Sequence, residues 1–228
     1  MSRLYLTRQE SRTNSHAYAT LNGTNLLTAY AMELLSYDVG SPEPIIKLIE
    51  VPGKPGKLDA TLALNGKVNY LNRSVTAEFH IRDITQDAFQ TLISTLFKLY
   101  QGTESKLSFS NDPNWYYKGR FKVSPSKSNP VTGNITLECD NAFPYKLESV
   151  TVEDTISSSK YVYCTGKDYN GAVTIYASAA MSVTFGGTTY QLSAGNNSVP
   201  EIHFASGSNS LRFVGTGTVR ITYERGVL

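Results

Sequence analysis

Only one stretch of this 228-residue chain carries a helical period, and that scarcity constrains the fold more than any other feature. Phe89, Leu92, Ile93, Leu96, Phe97 and Tyr100 recur at steps of three and one, which draws a single apolar stripe along a helix at about 84–101. Directly before it, Val75, Ala77, Phe79 and Ile81 alternate with Thr76, Glu78 and His80, the pattern of a strand with one buried and one wet face. A lone amphipathic helix among strands must bury its stripe on a sheet or across the end of a barrel. The expectation is a mainly β chain whose N-terminal part is a β-barrel-like domain with one helix.

The helix has a start and a stop in the sequence. Asp83 with Gln86 offers a capping box, and Gly102 sits where a left-handed terminator belongs. Upstream, Leu21-Asn22-Gly23 reads as a turn, and Leu48 to Val51 as a short strand entering Pro52-Gly53-Lys54-Pro55-Gly56-Lys57. Two Pro and two Gly in that loop fix its shape and exclude helix. Downstream, Leu107 with Phe109, Trp115 to Val123, and Ile135, Leu137 and Cys139 read as further strands.

The composition then shifts. After the proline of the stretch Asp140 to Lys146 and the polar run Glu153 to Lys160, no helical period survives. Met181, Val183 and Phe185 lead through Gly186-Gly187 to Tyr190 and Leu192, a hairpin with a glycine turn. Ile202 with Phe204, Leu211 with Phe213, and Val219 with Ile221 and Tyr223 complete a small β-sandwich. The expected organisation is an arm over residues 1–20, a first domain over 21–146 and a sandwich over 147–228.

Charge excludes some partners. Lys and Arg total 21 against 19 Asp and Glu, a net +2 that suits neither sequence-specific nucleic acid nor an anionic membrane. No apolar run approaches the roughly 18 residues of a membrane helix, and the first 20 residues lack a signal-peptide core, so the chain is expected in a cytoplasm. Cys139 and Cys164 both fall in strand runs and read as buried thiols. His16, His80 and His203 are far apart and read as surface residues, no Cys/His cluster has metal spacing, and neither a nucleophile elbow nor a phosphate loop is present. The expectation is no catalytic residues, no metal and no cofactor.

The most distinctive stretch is Asp112-Pro113-Asn114-Trp115-Tyr116-Tyr117-Lys118-Gly119-Arg120. Asp-Pro-Asn reads as a turn and the rest as a strand. Adjacent aromatics on a strand point to opposite faces, so at least one large ring faces away from the core, and with Arg120 nearby it becomes a candidate interface anchor.

These residues, in order, resemble the distal tail protein (Dit) family of long, flexible-tailed bacteriophages. The resemblance is carried by Val51-Pro52-Gly53-Lys54-Pro55-Gly56-Lys57-Leu58-Asp59, by Asn72-Arg73, by Asp112 to Arg120, and by Pro144-Tyr145-Lys146. In the second half, Met181 to Tyr190 and Gly215 to Val219 are similar as well. It spans about Leu21 to Leu228, and the arm before Leu21 is longer than the family usually carries. The resemblance implies a homohexameric ring in the virion tail, assembled in the bacterial host cytoplasm, that joins the tail tube to the baseplate or tail tip. It implies a galectin-like C-terminal sandwich. Its implied partners are the tail tube protein, a tail-tip hub or fibre protein, and in some members a receptor-binding protein. On this reading Gly53, Gly56, Asp59, Asp112, Pro113, Trp115, Tyr116, Tyr117, Gly119, Arg120, Pro144 and Tyr145 serve assembly or fold.

An alternative of another class is a carbohydrate-binding tail module that contacts the host surface through the sandwich. Against it, the sandwich has no Trp, its acids are sparse (Asp168 and Glu201 among them), and Phe185, Phe204 and Phe213 fall at inward positions. A hydrolase would need a catalytic constellation that the sequence does not show.

Overall fold

The computed structural model describes residues 17–63, 66–127 and 129–228. The expected arm and His16 lie almost wholly outside these residues. Ala19 and Thr20, expected in the arm, belong to strand β1 (Ala19–Leu21), where Ala19 is fully buried.

The first half continues with β2 (Thr24–Asn25), α1 (Leu26–Tyr30), β3 (Glu33–Val39), β4 (Leu48–Glu50), β5 (Lys57–Asp59) and β6 (Arg73–Ile81). After these come α2 (Gln86–Tyr100), β7 (Glu104–Phe109), β8 (Trp115–Arg120), β9 (Lys122–Ser126) and β10 (Gly133–Ala142). The second half holds β11 (Lys146–Ile156), β12 (Ser159–Gly166), β13 (Tyr169–Asn170), β14 (Thr174–Ala177) and β15 (Met181–Phe185). It ends with β16 (Thr188–Leu192), β17 (Gly195–Ser198), β18 (Gly207–Val214) and β19 (Gly217–Val227).

The chain is mainly β, as expected. Two turns follow directly from glycine chemistry. Asn22 and Gly23 both take positive φ between Leu21 and Thr24, which face each other across the β1–β2 hairpin, and Gly186 and Gly187 do the same between Phe185 and Thr188. Positive φ at both central residues matches the twist of the flanking strands.

Helix α2 sets Phe89, Ile93, Leu96 and Tyr100 into the first core. Each large apolar side chain buried this way is worth about 2 kcal/mol. Phe97, expected on the same stripe, is 42% exposed. The capping box is also corrected. The N-cap is Thr85, whose hydroxyl accepts from the Ala88 amide at 3.3 Å, while Asp83 occupies a left-handed turn residue with φ 53°. Gly102 stops the helix with φ 67°, as its position suggests. A second helix, the five-residue α1, escaped the periodicity reading because it is little more than one turn, capped by Asn25.

Two cores result. The first gathers residues from Ala19 to Ala142 between the sheet β3-β6-β10-β9 and strands β1, β7 and β8. The second, from Ile156 to Tyr223, lies between β12-β18-β15-β16 and strands β11, β14 and β19, a sandwich. The barrel-like expectation is met only loosely, since no sheet closes on itself among the described residues and the first core is bounded by two open sheets. Ile202 and Phe204 are buried in the second core from a loop rather than from a strand.

One sheet passes through both halves, in the order β17-β14-β19-β11-β8-β7-β1-β2. Strand β11 pairs with β19 over its whole length, and its first residues also pair with β8, Leu147 opposite Tyr116 and Glu148 opposite Trp115. The position between 146 and 147 therefore lies inside a continuous hydrogen-bonded sheet. The polar run Glu153 to Lys160 ends β11, crosses to the facing sheet and opens β12, and its charges pair with Arg220 and with each other: Glu153 with Arg220, Asp154 with Lys160.

Candidate assembly site

Three of the four stretches singled out in the first half converge around the Tyr117 ring. Arg73 on β6 places its guanidinium carbon 5.8 Å from that ring, and Lys146 at the start of β11 places its ammonium 6.0 Å from both Tyr117 and Trp115. Asp112, in the turn before β8, closes an ion pair with Lys146. The turn is held by Asp112 N–H donating to the Phe109 carbonyl (3.0 Å) and Trp115 N–H donating to Asp112 (3.2 Å). Pro113 is exposed at its tip, and Trp115 is half-buried.

Tyr116 and Tyr117 do point to opposite faces, but neither is free. Tyr117 enters the first core. Tyr116 faces the second half, where its hydroxyl donates to Glu224 (2.6 Å) and receives a hydrogen bond from Lys106 (3.1 Å), with Ser149 Oγ at 3.1 Å. The expectation that one of these rings is a bare interface anchor is thus corrected for Tyr116: the chain's own β11 and β19 cover it. Gly119 is glycine for a packing reason. A Cβ there would lie 2.5 Å from Cys139 Sγ and 3.1 Å from Ala142 Cα, at the bulge where β10 shifts register. Arg120 donates to the Gly102 carbonyl (3.0 Å), tying β8 to the end of α2.

Arg73 is the anomaly of this cluster. It is 6% exposed, and its Nε and one terminal nitrogen have no hydrogen-bond partner. Burial without a counter-charge costs several kcal/mol unless something else offsets it.

Pro144 is buried, and Tyr145 stacks on Tyr169 at 5.4 Å. With Phe143 and Tyr70 these rings line an open cleft of about 400 Å³ shared by both halves, with Asp168 at its edge. Tyr169 could not be linked to Tyr145 from the sequence, since they are far apart along the chain and only the fold unites them.

The fourth stretch stands apart. Gly53 and Gly56 take φ 79° and 80° in the tip of the β4–β5 ribbon, with open space where a Cβ would project, so their need is conformational and not steric. Asp59 ends the ribbon by accepting from the Thr61 amide at 2.8 Å, and the Thr61 hydroxyl and amide together hold its carboxyl below the usual carboxylate range. All six strand residues of this ribbon are exposed. Around it, Ile45, Ile46, Leu48, Ile49 and Leu58 are 42–64% exposed. The adjacent pairs Ile45-Ile46 and Leu48-Ile49 were the available signal: neighbouring apolar residues on a strand cannot share one buried face.

No group of three or more His, Cys, Asp or Glu among the described residues could hold a metal. Cys139 and Cys164 are buried and unpaired, and burial pushes the Cys164 thiol up to about 11. His80 Nδ1 lies 2.8 Å from Asn134 Oδ1, and His203 is exposed on a loop. Among the described residues no helix is long and apolar enough to cross a membrane.

Residues 21–139 match the family model described as a phage tail protein RIFT-related domain. The chain belongs to this family of phage tail proteins. The distal tail protein of phage SPP1, described as a hub adsorption apparatus in phages infecting Gram-positive bacteria, shares its fold. The two are 17% identical, the match covers 93% of this tail protein and 99% of that chain, and the TM-score is 0.53. A conserved Pseudomonas aeruginosa protein of unknown function aligns at 9% identity over 84% of this chain and 100% of its own, with a TM-score of 0.29. No curated protein matches. The chain is thus a phage tail protein with a Dit-like fold.

Proposed function

We propose that copies of this tail protein close into a ring at the distal end of the tail tube, with the β4–β5 ribbon of each copy lying on the next. The observation that carries this reading is the ribbon itself. A two-stranded ribbon is marginal on its own, and one that exposes both faces with apolar residues on them needs a surface to cover it. A projecting element that fits a different surface on a neighbour makes a head-to-tail contact, and such contacts close into rings when the rotation permits. Six subunits is the number the family resemblance supports. The tube protein on one face of the ring and a tail-tip hub or fibre protein on the other are the partners it supports, with receptor-binding proteins as a further neighbour.

Mass photometry and negative-stain imaging of the purified chain test this. The unaltered chain gives rings, and Ile49→Asp or the paired Gly53→Val and Gly56→Val changes give folded monomers, because a β-branched residue is strained wherever φ is positive. A chain that stays monomeric at high concentration and in the presence of the tube and hub proteins would sink the reading.

A further inference from the structure

We propose that the ribbon of each copy joins the next copy as an added strand, β4 pairing in parallel with the open edge of β3. This rests on the head-to-tail ring above and names the surface that receives the ribbon.

The sheet β3-β6-β10-β9 has two edges, and they are built differently. On β9 the Val123 amide turns away from β10 and donates to Gln101 Oε1 at 2.8 Å, and Pro125, two residues on and facing the same way, has no amide to offer. That edge is closed to a further strand. On β3 the Leu34 amide turns away from β6 and donates to the Ala17 carbonyl at 3.3 Å, while the Gly40 amide turns inward to the Ser74 carbonyl at 2.9 Å. Alternation back from Gly40 sends the main-chain groups of Val39 and Tyr37 outward, and their amides have no partner among the described residues. This edge carries Leu35 and Tyr37 at 58% and 43% exposure, with neither proline nor lysine to guard it.

The ribbon offers the complement. The Ala60 amide donates to the Lys47 carbonyl at 2.8 Å, so alternation makes Ile49 and Leu58 the hydrogen-bonded pair inside the ribbon and turns the main-chain groups of Leu48 and Glu50 outward from β4. A row of main-chain donors and acceptors is matched along its length by another strand, which selects a polypeptide as the occupant. The ribbon is the exposed strand pair that the ring already lays on a neighbour.

Side chains choose the direction. Tyr37 and Val39 stand on the core face, opposite the buried Ala77 and Val75, and the Tyr37 ring stacks on Phe109 at 4.0 Å. Antiparallel addition sets residues with outward main-chain groups opposite one another, which would bring Glu50 and its partner Lys57 onto this apolar rim. In parallel addition an outward residue bonds to the two neighbours of the residue opposite it, so Ile49 lies beside Tyr37 or Val39 and Leu58 shares its face. Parallel addition thus covers the rim with Ile49 and Leu58 and leaves the Glu50–Lys57 ion pair (3.0 Å) on the wet side.

In this arrangement Asp38, exposed on the wet face of β3, lies beside Leu48 or Glu50 of the neighbouring copy. Full chains carrying Asp38→Cys with Leu48→Cys, or Asp38→Cys with Glu50→Cys, are oxidised as rings and separated without reductant. At least one of them gives a ladder of disulfide-linked multimers, whereas Glu50→Cys with Ser126→Cys, on the closed edge, gives none. Hydrogen exchange supplies a reading on chains without added cysteines: the Tyr37 and Val39 amides exchange about tenfold or more slowly in rings than in Ile49→Asp monomers. Rings that give neither ladder overturn this pairing and leave the ring standing, while a chain that forms no rings overturns both. The pairing is also overturned if the two amides are equally protected in the monomer, which puts the chain's own residues on that edge, or are protected only in intact tails, which puts another tail protein there.

Discussion

The hydroxyl of Tyr116 and the ammonium of Lys106 meet on the same oxygen of Glu224, at 2.6 and 2.7 Å. Tyr116 and Lys106 come from β8 and β7, Glu224 from β19, so one carboxylate of the second half takes an ion pair and a hydrogen bond from the first. The three groups form the polar counterpart of the β8–β11 strand pairing beside them.

This contact gives the fold an acid-sensitive seam. Burial alone would raise the Glu224 carboxyl, but the hydrogen bonds from Lys106 and Tyr116 outweigh it and hold the carboxyl below its ordinary 4.5. A depressed carboxylate contributes stability above its unfolded value, and that contribution is lost as pH falls through the folded one. Stability measured by denaturant titration therefore falls below about pH 4.5 in the unaltered chain, and Glu224→Gln flattens that arm. Tyr116→Phe costs about 1 kcal/mol at neutral pH, the range of a partly exposed hydrogen bond to a charged group.

Gly119 predicts a core defect rather than a surface one. Gly119→Ala drives a methyl into Cys139 and the β10 backbone, and overpacking of this kind costs about 1–3 kcal/mol. Thermal unfolding of the variant should show the loss, and Gly119→Ala combined with Cys139→Ala should recover part of it, because the Cys139 sulfur is the nearer obstacle.

Arg73 predicts the reverse sign. Its buried donors lack partners, so Arg73→Met removes a desolvated charge while keeping the packing against Tyr117. Replacement of an unpaired buried ion by a flexible apolar chain is expected to stabilise the isolated protein by about 1 kcal/mol, read as a higher denaturant midpoint. A loss of stability would show that the guanidinium–ring contact outweighs the desolvation.

Much of the architecture was readable because it rests on local signals. The alternation of β6, the stripe of α2 and the two glycine hairpins each need only a few neighbouring residues. What stayed hidden depends on distant ones. The stretch Glu153 to Lys160 is only a polar run until Arg220 supplies its counter-charge, and Ile202 and Phe204 look like a strand because burial alternates even in a loop that lies over a core. The site residues divide the same way. Gly53 and Gly56 declare their conformation in the sequence, whereas the reason for Gly119 lies in Cys139 and Ala142, and Tyr116 had no visible partner until β19 folded back beside it.

The sheet that passes from one half into the other through the β8–β11 pairing has a mechanical consequence. Without a flexible tether between them, the sandwich cannot swing independently, so a load applied to its outer surface reaches β8 as a torque on the first core. A molecule built this way behaves as a stiff lever, and any pull at its far end is felt by whatever grips the near one.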